Sequence, residues 1–299
     1  MTRRPVSLFI NPAAGRGRAG RRMPRIKEIF VEAGIEVSLH ASRAVGDLEE
    51  RVRAEVRNGA ERIIVAGGDG SVHEAVNGIM LAERPARLGV IPTGTGNDFA
   101  KACAIPLDWE RATTLLVDRL SADVSSRRID IGRMNDRYFA NGAGIGFDAK
   151  VTSVARSYQW PIGDFVYLFA IFRCMIDGIA TPDVVISTDS LQWSGPVTLA
   201  SISNGPWVGG MFHIAPMANN GDGEFELLIA GPVSRLRIMS LLPKLIRGRH
   251  MQEKEISHVS VKRVSIEASA EVPSHLDGEV QPLATRFDIE LLPAALDLL

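Results

Sequence analysis

From Val6 to about Asp130, short apolar runs alternate with amphipathic stretches, which is the pattern of parallel βα units. Three runs predict buried strands: Val6 to Ile10, Arg62 to Ala66 and Leu88 to Ile91, each rich in β-branched or large apolar side chains and each followed at once by turn residues. Pro24 to Ala33 and Leu48 to Asn58 carry apolar residues at helical spacing, and further helices are predicted to start at Val72 and near Phe99. The order strand, helix, strand, helix predicts a doubly wound, Rossmann-like α/β domain.

After Asp130 the texture changes. Gly- and Asn-rich segments separate the runs Tyr138 to Ala140, Val184 to Ile186, Val197 to Leu199 and Phe225 to Leu228, which predict antiparallel β structure. Two helical inserts are predicted, Phe165 to Asp177 and Val233 to Arg247. The expected architecture is an α/β domain followed by a β-rich domain.

Composition narrows the class. With 299 residues, 45% hydrophobic and 23% charged, the chain can bury a large core and is not a disordered tail. Cys103 and Cys174 are too few for a disulfide framework or a four-thiolate zinc site, so a reducing, cytoplasmic setting is expected. The apolar run Val6 to Ile10 is too short for a secretory signal, and Phe165 to Met175 is interrupted by Arg173 and too short to span a bilayer. The net charge of −1 hides an asymmetry: Arg3, Arg4, Arg16, Arg18, Arg21, Arg22, Arg25 and Lys27 all precede the first acidic residue, Glu28. An anionic partner is expected there. Nucleic acid is not, because no aromatic-rich RNA-binding signature interleaves with the arginines.

The chemistry concentrates where the strands end. The three early strands run into Asn11-Pro12-Ala13-Ala14-Gly15, Gly67-Gly68-Asp69-Gly70-Ser71 and Thr93-Gly94-Thr95-Gly96-Asn97-Asp98. In a parallel sheet these loops share one edge, where missing side chains let backbone N–H groups approach phosphate oxygens. A carboxylate among such amides would repel a polyanion unless a divalent cation stood between them, so Asp69 argues for magnesium. Other chemistries fail on their letters. Gly15 and Gly20 have Walker spacing, but Arg21-Arg22 follows; no G-x-G-x-x-G closes a strand; Asn77 stands where a second zincin histidine would be; no G-x-S-x-G occurs.

On these motifs, together with Val72-His73-Glu74-Ala75-Val76-Asn77-Gly78 and two late Asp-Gly-Glu segments, the sequence resembles the diacylglycerol kinase catalytic-domain family, the small bacterial lipid kinases related to sphingosine and ceramide kinases. The resemblance implies a nucleotide-binding domain over 1–129, rejoined by a C-terminal segment over 284–299, and a β-rich, sandwich-like lipid-binding domain over 130–283. It implies ATP held by Asn11, Ser42, Gly67, Gly68, Asp69, Gly70, Ser71 and Thr95, with Ser42 and Ser71 standing where the family usually has threonine. It also implies a structural magnesium site at Asn219, Asp222 and Glu224, with Asp98 and Asp130 as further candidates for the metal network. Asp277 and Glu279 match the segment that brings the catalytic acid.

The expected reaction is ATP-dependent phosphorylation of diacylglycerol or a similar lipid alcohol, with Asp277 or Glu279 as base and Asp69 as a catalytic carboxylate. Sphingosine- or ceramide-type kinases, NAD kinase and a non-catalytic nucleotide sensor at a membrane surface are the rivals. The apolar helix from Phe165 and the basic helix with Arg235, Arg237, Lys244, Arg247 and Arg249 suit peripheral contact with an anionic membrane. Core packing is the competing reading, as it is for Trp160, Trp207 and Phe212. The six histidines form no spacing that demands a metal. A homodimer is left open.

Overall fold

The computed structural model describes residues 5–122, 124–158, 163 and 165–299, so Arg3, Arg4 and Trp160 lie outside the described residues. The chain forms two compact units, Met1–Ile129 with Ala294–Leu299, and Asp130–Pro293.

Unit 1 contains β1 (Val6–Ile10), α1 (Ala14–Glu32), β2 (Val37–Ala41), α2 (Asp47–Arg57), β3 (Arg62–Gly67), α3 (Asp69–Ala82), β4 (Arg87–Pro92), α4 (Asp98–Ala102) and α5 (Trp109–Ser121). Its sheet is parallel in the order β2-β1-β3-β4, with Asp297 and Leu298 added beside β4. Both faces are covered, which is why β1 is buried at every position. Val6, Leu8 and Ile10 pack with Ile26, Phe30 and Leu116 of α1 and α5, while Ser7, pointing the other way, reaches Glu55 of α2. On that second side Gly78 lets α3 close on α2, since a Cβ there would stand 2.7 Å from the Glu49 carbonyl. The chain places β2 and β3 on opposite sides of β1, so the strand order reverses between β1 and β3, where open α/β sheets bind ligands at their carboxyl ends.

The doubly wound expectation holds, with local corrections. The helix expected from Pro24 is α1, already under way at Ala14: Gly15, Arg16 and Gly17 take positive φ, and Pro24 is accommodated inside the helix. α3 begins at Asp69, not Val72, so part of the glycine loop is its first turn. β2 is not expected, because its polar Ser38 and His40 break the apolar run.

Unit 2 is antiparallel. After β5 (Arg127–Met134), which crosses the boundary, come β6 (Arg137–Phe139), β7 (Gly142–Gly146), α6 (Phe147–Ser157), α7 (Phe165–Asp177), β8 (Asp183–Thr188), β9 (Gln192–Pro196), β10 (Leu199–Ser203), β11 (Phe225–Ala230), α8 (Arg235–Ile246), β12 (Ile256–Val261), β13 (Arg263–Leu276) and β14 (Glu279–Leu298). The main path is β12-β11-β10-β7-β13; β13 also pairs with β8 and β14, and β8 with β9. Residues of β14 up to Glu290 pair with β13, and only Ala294–Leu299 belongs to unit 1. One core, around Phe139, Phe225 and Phe287, fills the sheets; another joins α6, α7 and α8 through Phe147, Ile171, Phe212 and Leu242. The run Val197 to Leu199 is out of register with the strand it predicts, because Thr198 is engaged before β10 begins, its Oγ1 donating to Gly231.

Candidate active site

The three glycine loops of unit 1 meet. Asn11 follows β1 and its N–H donates to the Ala66 carbonyl at 3.3 Å; its Oδ1 accepts from Ala13 N–H at 3.0 Å. Ser42 follows β2, with its N–H on the Ile10 carbonyl at 2.9 Å. Gly67 ends β3 and its carbonyl accepts from Thr93 N–H at 2.9 Å. Gly68 and Gly94 touch: a Cβ on Gly68 would lie 3.0 Å from Gly94 Cα. Gly15 is pressed onto the Thr93 carbonyl, and a Cβ would overlap it. Gly15 also has φ +57°, a conformation open to glycine at little strain. Asn97, itself at φ 52°, holds Gly94 from both sides, accepting from its N–H at 3.1 Å and donating to its carbonyl at 3.2 Å.

Asp69, Gly70 and Ser71 form the first turn of α3, whose N-terminal amides make an electropositive end. Ser71 is buried and Thr95 exposed. The carboxylate of Asp69 accepts from Phe99 N–H at 3.1 Å, so it tethers α4 as well as adding charge to the cradle. Asp98 is buried and paired with Lys101 at 3.1 Å. Of the arginines counted above, Arg18 points into the cradle, donating to Gly15 and Gly94 carbonyls at 2.9 and 3.3 Å. Arg25 is taken up by Glu28 and Glu32, and Arg22 lies over the Trp109 ring.

In unit 2, Asp277 and Glu279 occupy the hairpin between β13 and β14. Asp277 has φ 51° and Gly278 φ +83°. The Asp277 carboxylate collects three backbone N–H groups, Asn141 at 2.8 Å and Gly142 at 3.0 Å on Oδ1 and Ala140 at 3.0 Å on Oδ2. Glu279 pairs with Arg156, which also donates to the Gly278 carbonyl at 2.9 Å. The segment Asn219 to Glu224 is a separate turn on Asp130. The buried Asp130 accepts from Gly223 N–H and its own N–H donates to the Asn220 carbonyl, both at 2.8 Å. Asp222 Oδ1 accepts from Glu224 N–H at 3.1 Å, and the Asn219 carbonyl accepts from Gly221 N–H at 2.8 Å. The donors here are all oxygen, which fits a hard divalent cation. Among the described residues no three His, Cys, Asp or Glu side chains are grouped to hold a metal, so carbonyls and water would complete such a site.

An apolar cavity lies under α6, α7 and α8. Phe147, Val151, Ile171, Phe212, Leu242 and Leu245 form much of its wall, and Asp148, Thr198 and His250 are polar exceptions. Burial pushes the His250 and His213 imidazoles below the ordinary histidine value. His250 donates from Nε2 to the Ile214 carbonyl at 2.9 Å, leaving Nδ1 buried without a partner. Trp207 stacks on His213 at 4.2 Å.

α7 divides its apolar residues. Ala170, Ile171, Cys174 and Met175 are buried, while Phe165, Phe169, Phe172 and Ile176 are 59%, 49%, 44% and 70% exposed along one face. On α8, Leu236 is 84% exposed. Arg237 and Lys244 are neutralised by Glu253 and Glu255, a loss to the basic face that the sequence spacing hides. No helix among the described residues is long and apolar enough to cross a membrane.

The sequence reading missed Asp148, Arg156 and His275. His275 is buried beside the Asp277 turn, and Asp148 lies in the first turn of α6. The signal available was Gly142-Ala-Gly-Ile-Gly146, whose small residues clear space over β7.

Residues 5–134 match the family model described as diacylglycerol kinase catalytic domain, and residues 142–299 match the YegS C-terminal NAD kinase beta sandwich-like domain. The diacylglycerol kinase of Bacillus subtilis (strain 168) is 30% identical over 274 residues, covering 91% of this chain and 88% of that protein. That of Staphylococcus carnosus (strain TM300) is 30% identical over 280 residues, covering 93% and 89%. A crystal structure of a diacylglycerol kinase from Bacillus anthracis str. Sterne superposes with a TM-score of 0.74 at 22% identity, covering 100% of this chain and 97% of that one, a likeness of fold.

Proposed function

Because the chain belongs to the diacylglycerol kinase family of lipid kinases, we propose that it transfers the γ-phosphate of ATP to the hydroxyl of diacylglycerol or a similar lipid alcohol. The observation that carries this reading is the mutual contact of three glycine loops at the carboxyl edge of the unit 1 sheet. Backbone amides from Gly67 to Ser71, with Asn11, Ser42 and Thr95, would bind the ATP phosphates. Arg18 and the α3 N-terminus supply fixed positive charge for the transferring group.

Unit 2 would supply the lipid site and the base. The hydroxyl oxygen attacks the γ-phosphorus, the bond to the bridging oxygen of ADP breaks, and the hydroxyl proton passes to a carboxylate. Both oxygens of Asp277 are bound by amides, which suits an anchor; Glu279, restrained by Arg156, suits the proton acceptor. Magnesium supplies charge cover for phosphoryl transfer when bound. Asp69 would hold it beside the nucleotide, and Asn219, Asp222 and Glu224 would hold a structural ion. The apolar cavity would take acyl chain. The exposed α7 stripe, with Leu236 and the arginines Arg235, Arg247 and Arg249, suits peripheral contact with an anionic bilayer from the cytoplasm.

Purified protein offered γ-labelled ATP with diacylglycerol, ceramide, sphingosine and NAD in parallel should label diacylglycerol or a lipid of a total extract. Label entering NAD alone, or nucleotide binding with no transfer to any lipid, overturns the reading.

A further inference from the structure

The Asp277–Glu279 tip has two consecutive residues in left-handed conformation, Asp277 at φ 51° and Gly278 at φ +83°. Asp-Gly favours such a two-residue hairpin turn by itself, so what its surroundings decide is where the tip and its carboxylates sit. One helix, α6, comes to it at two places. Near the end of α6, Arg156 Nη1 donates to the Gly278 carbonyl at 2.9 Å and pairs with Glu279 Oε2 at 2.5 Å. At its start, Asp148 Oδ2 lies 3.5 Å from Nε2 of the buried His275, whose Nδ1 accepts from Gly278 N–H at 3.3 Å. Accepting at Nδ1 puts the neutral ring's proton on Nε2, which has no hydrogen-bond partner and faces Asp148. Gly144 of β7 makes this possible, because a Cβ there would overlap both Asp148 Oδ2 and His275 Nε2.

The same helix is a wall of the apolar cavity, through Phe147, Val151 and Thr152. A molecule filling the cavity therefore presses on the helix whose Arg156 holds Gly278 and Glu279 and whose Asp148 faces the ring that accepts from Gly278 N–H. We propose that Asp148 and Arg156 are positioning residues through which filling of the cavity by acyl chain sets the catalytic geometry of Asp277 and Glu279. The proposal rests on the lipid kinase reading above. It turns remote binding energy into turnover, so a short-chain substrate loses kcat and not only KM.

The test compares wild type with Arg156→Ala, Arg156→Lys and Asp148→Asn, using diacylglycerols of short and long acyl chains in mixed micelles, with ATP binding measured by calorimetry. Expected are a kcat at least several-fold higher for long chains in wild type, and a kcat at least about tenfold lower in Arg156→Ala and Asp148→Asn. The chain-length ratio should collapse toward one in both variants and return in part in Arg156→Lys, with ATP affinity within twofold of wild type. Unchanged kcat, or a lowered kcat that keeps the wild-type chain-length ratio, overturns the proposal. A fully active Glu279→Gln would sink the catalytic reading on which it rests, so the two failures are distinguishable.

Discussion

The Asp69 carboxylate accepts a hydrogen bond from the Phe99 backbone N–H at 3.1 Å, so the first residue of α3 also ties down the start of α4. Charge and cap can be separated at this position. Asp69→Asn keeps an oxygen for Phe99 and removes the charge; turnover should fall at least about 100-fold with the urea midpoint nearly unchanged. Asp69→Ala loses both and should also cost about 1 kcal/mol of stability. Equal turnover in wild type and Asp69→Asn would remove Asp69 from the phosphate chemistry.

Gly94 tests the cradle. A Cβ there would lie 2.5 Å from Gly68 Cα and 2.8 Å from Asn97 Oδ1, so Gly94→Ala must push the second and third loops apart. We expect a stability loss of about 1–3 kcal/mol and ATP affinity reduced at least about tenfold, by calorimetry and urea unfolding. Wild-type affinity in this variant would show that phosphate binds elsewhere.

Asp277 and Glu279 should fail in different ways. Asp277→Ala strands the N–H groups of Ala140, Asn141 and Gly142, at a cost of about 1–3 kcal/mol on top of lost turnover. Glu279→Gln stays folded and loses at least about 100-fold in turnover. Thermal melts beside initial rates separate a structural loss from a chemical one.

Stability should fall on mild acidification. Burial depresses the folded-state value of His250, and of His213, below that of the unfolded chain. Between the depressed value and about 6.5, the unfolded state binds more protons, so stability falls as pH drops through that window. Melting curves from pH 7.5 to 5.5 should show a declining Tm, and His250→Gln, which keeps a donor for Ile214, should flatten the slope. An unaltered slope would assign the decline to other groups.

Charging the exposed stripe should detach the protein from lipid. Ile176→Glu with Leu236→Glu alters two residues that are 70% and 84% exposed, so folding should be untouched. Sedimentation with anionic vesicles should show binding weakened at least about tenfold, and no change would place the membrane contact elsewhere.

Much of unit 1 is legible because its signals are local. Val6 to Ile10 is a strand by composition alone, and Leu48, Val52 and Val56 keep helical spacing on α2. The start of α1 is hidden because Gly15, Gly17 and Gly20 remove the apolar period, while Gly15 closes on Thr93 and Gly20 on Pro12. In unit 2 the lone histidine at 275 carries no spacing signal, and its partner Asp148 comes from another element, so only packing reveals the pair. Arg237 and Lys244 show the same limit: the spacing reads as a basic face, yet Glu253 and Glu255 fold back onto it.

The strand beside β4 comes from Asp297 and Leu298, and the Leu299 N–H closes onto the Leu88 carbonyl at 2.8 Å. On the ribosome, β1 to β4 emerge early, but the neighbour that finishes their sheet is translated after all of Asp130–Pro293. The nascent sheet therefore waits with an open margin of amides and carbonyls, available to any foreign strand. A chaperone that shelters β4 during synthesis, or a truncation that deletes its late neighbour, should act on yield more strongly than on the specific activity of molecules that do mature.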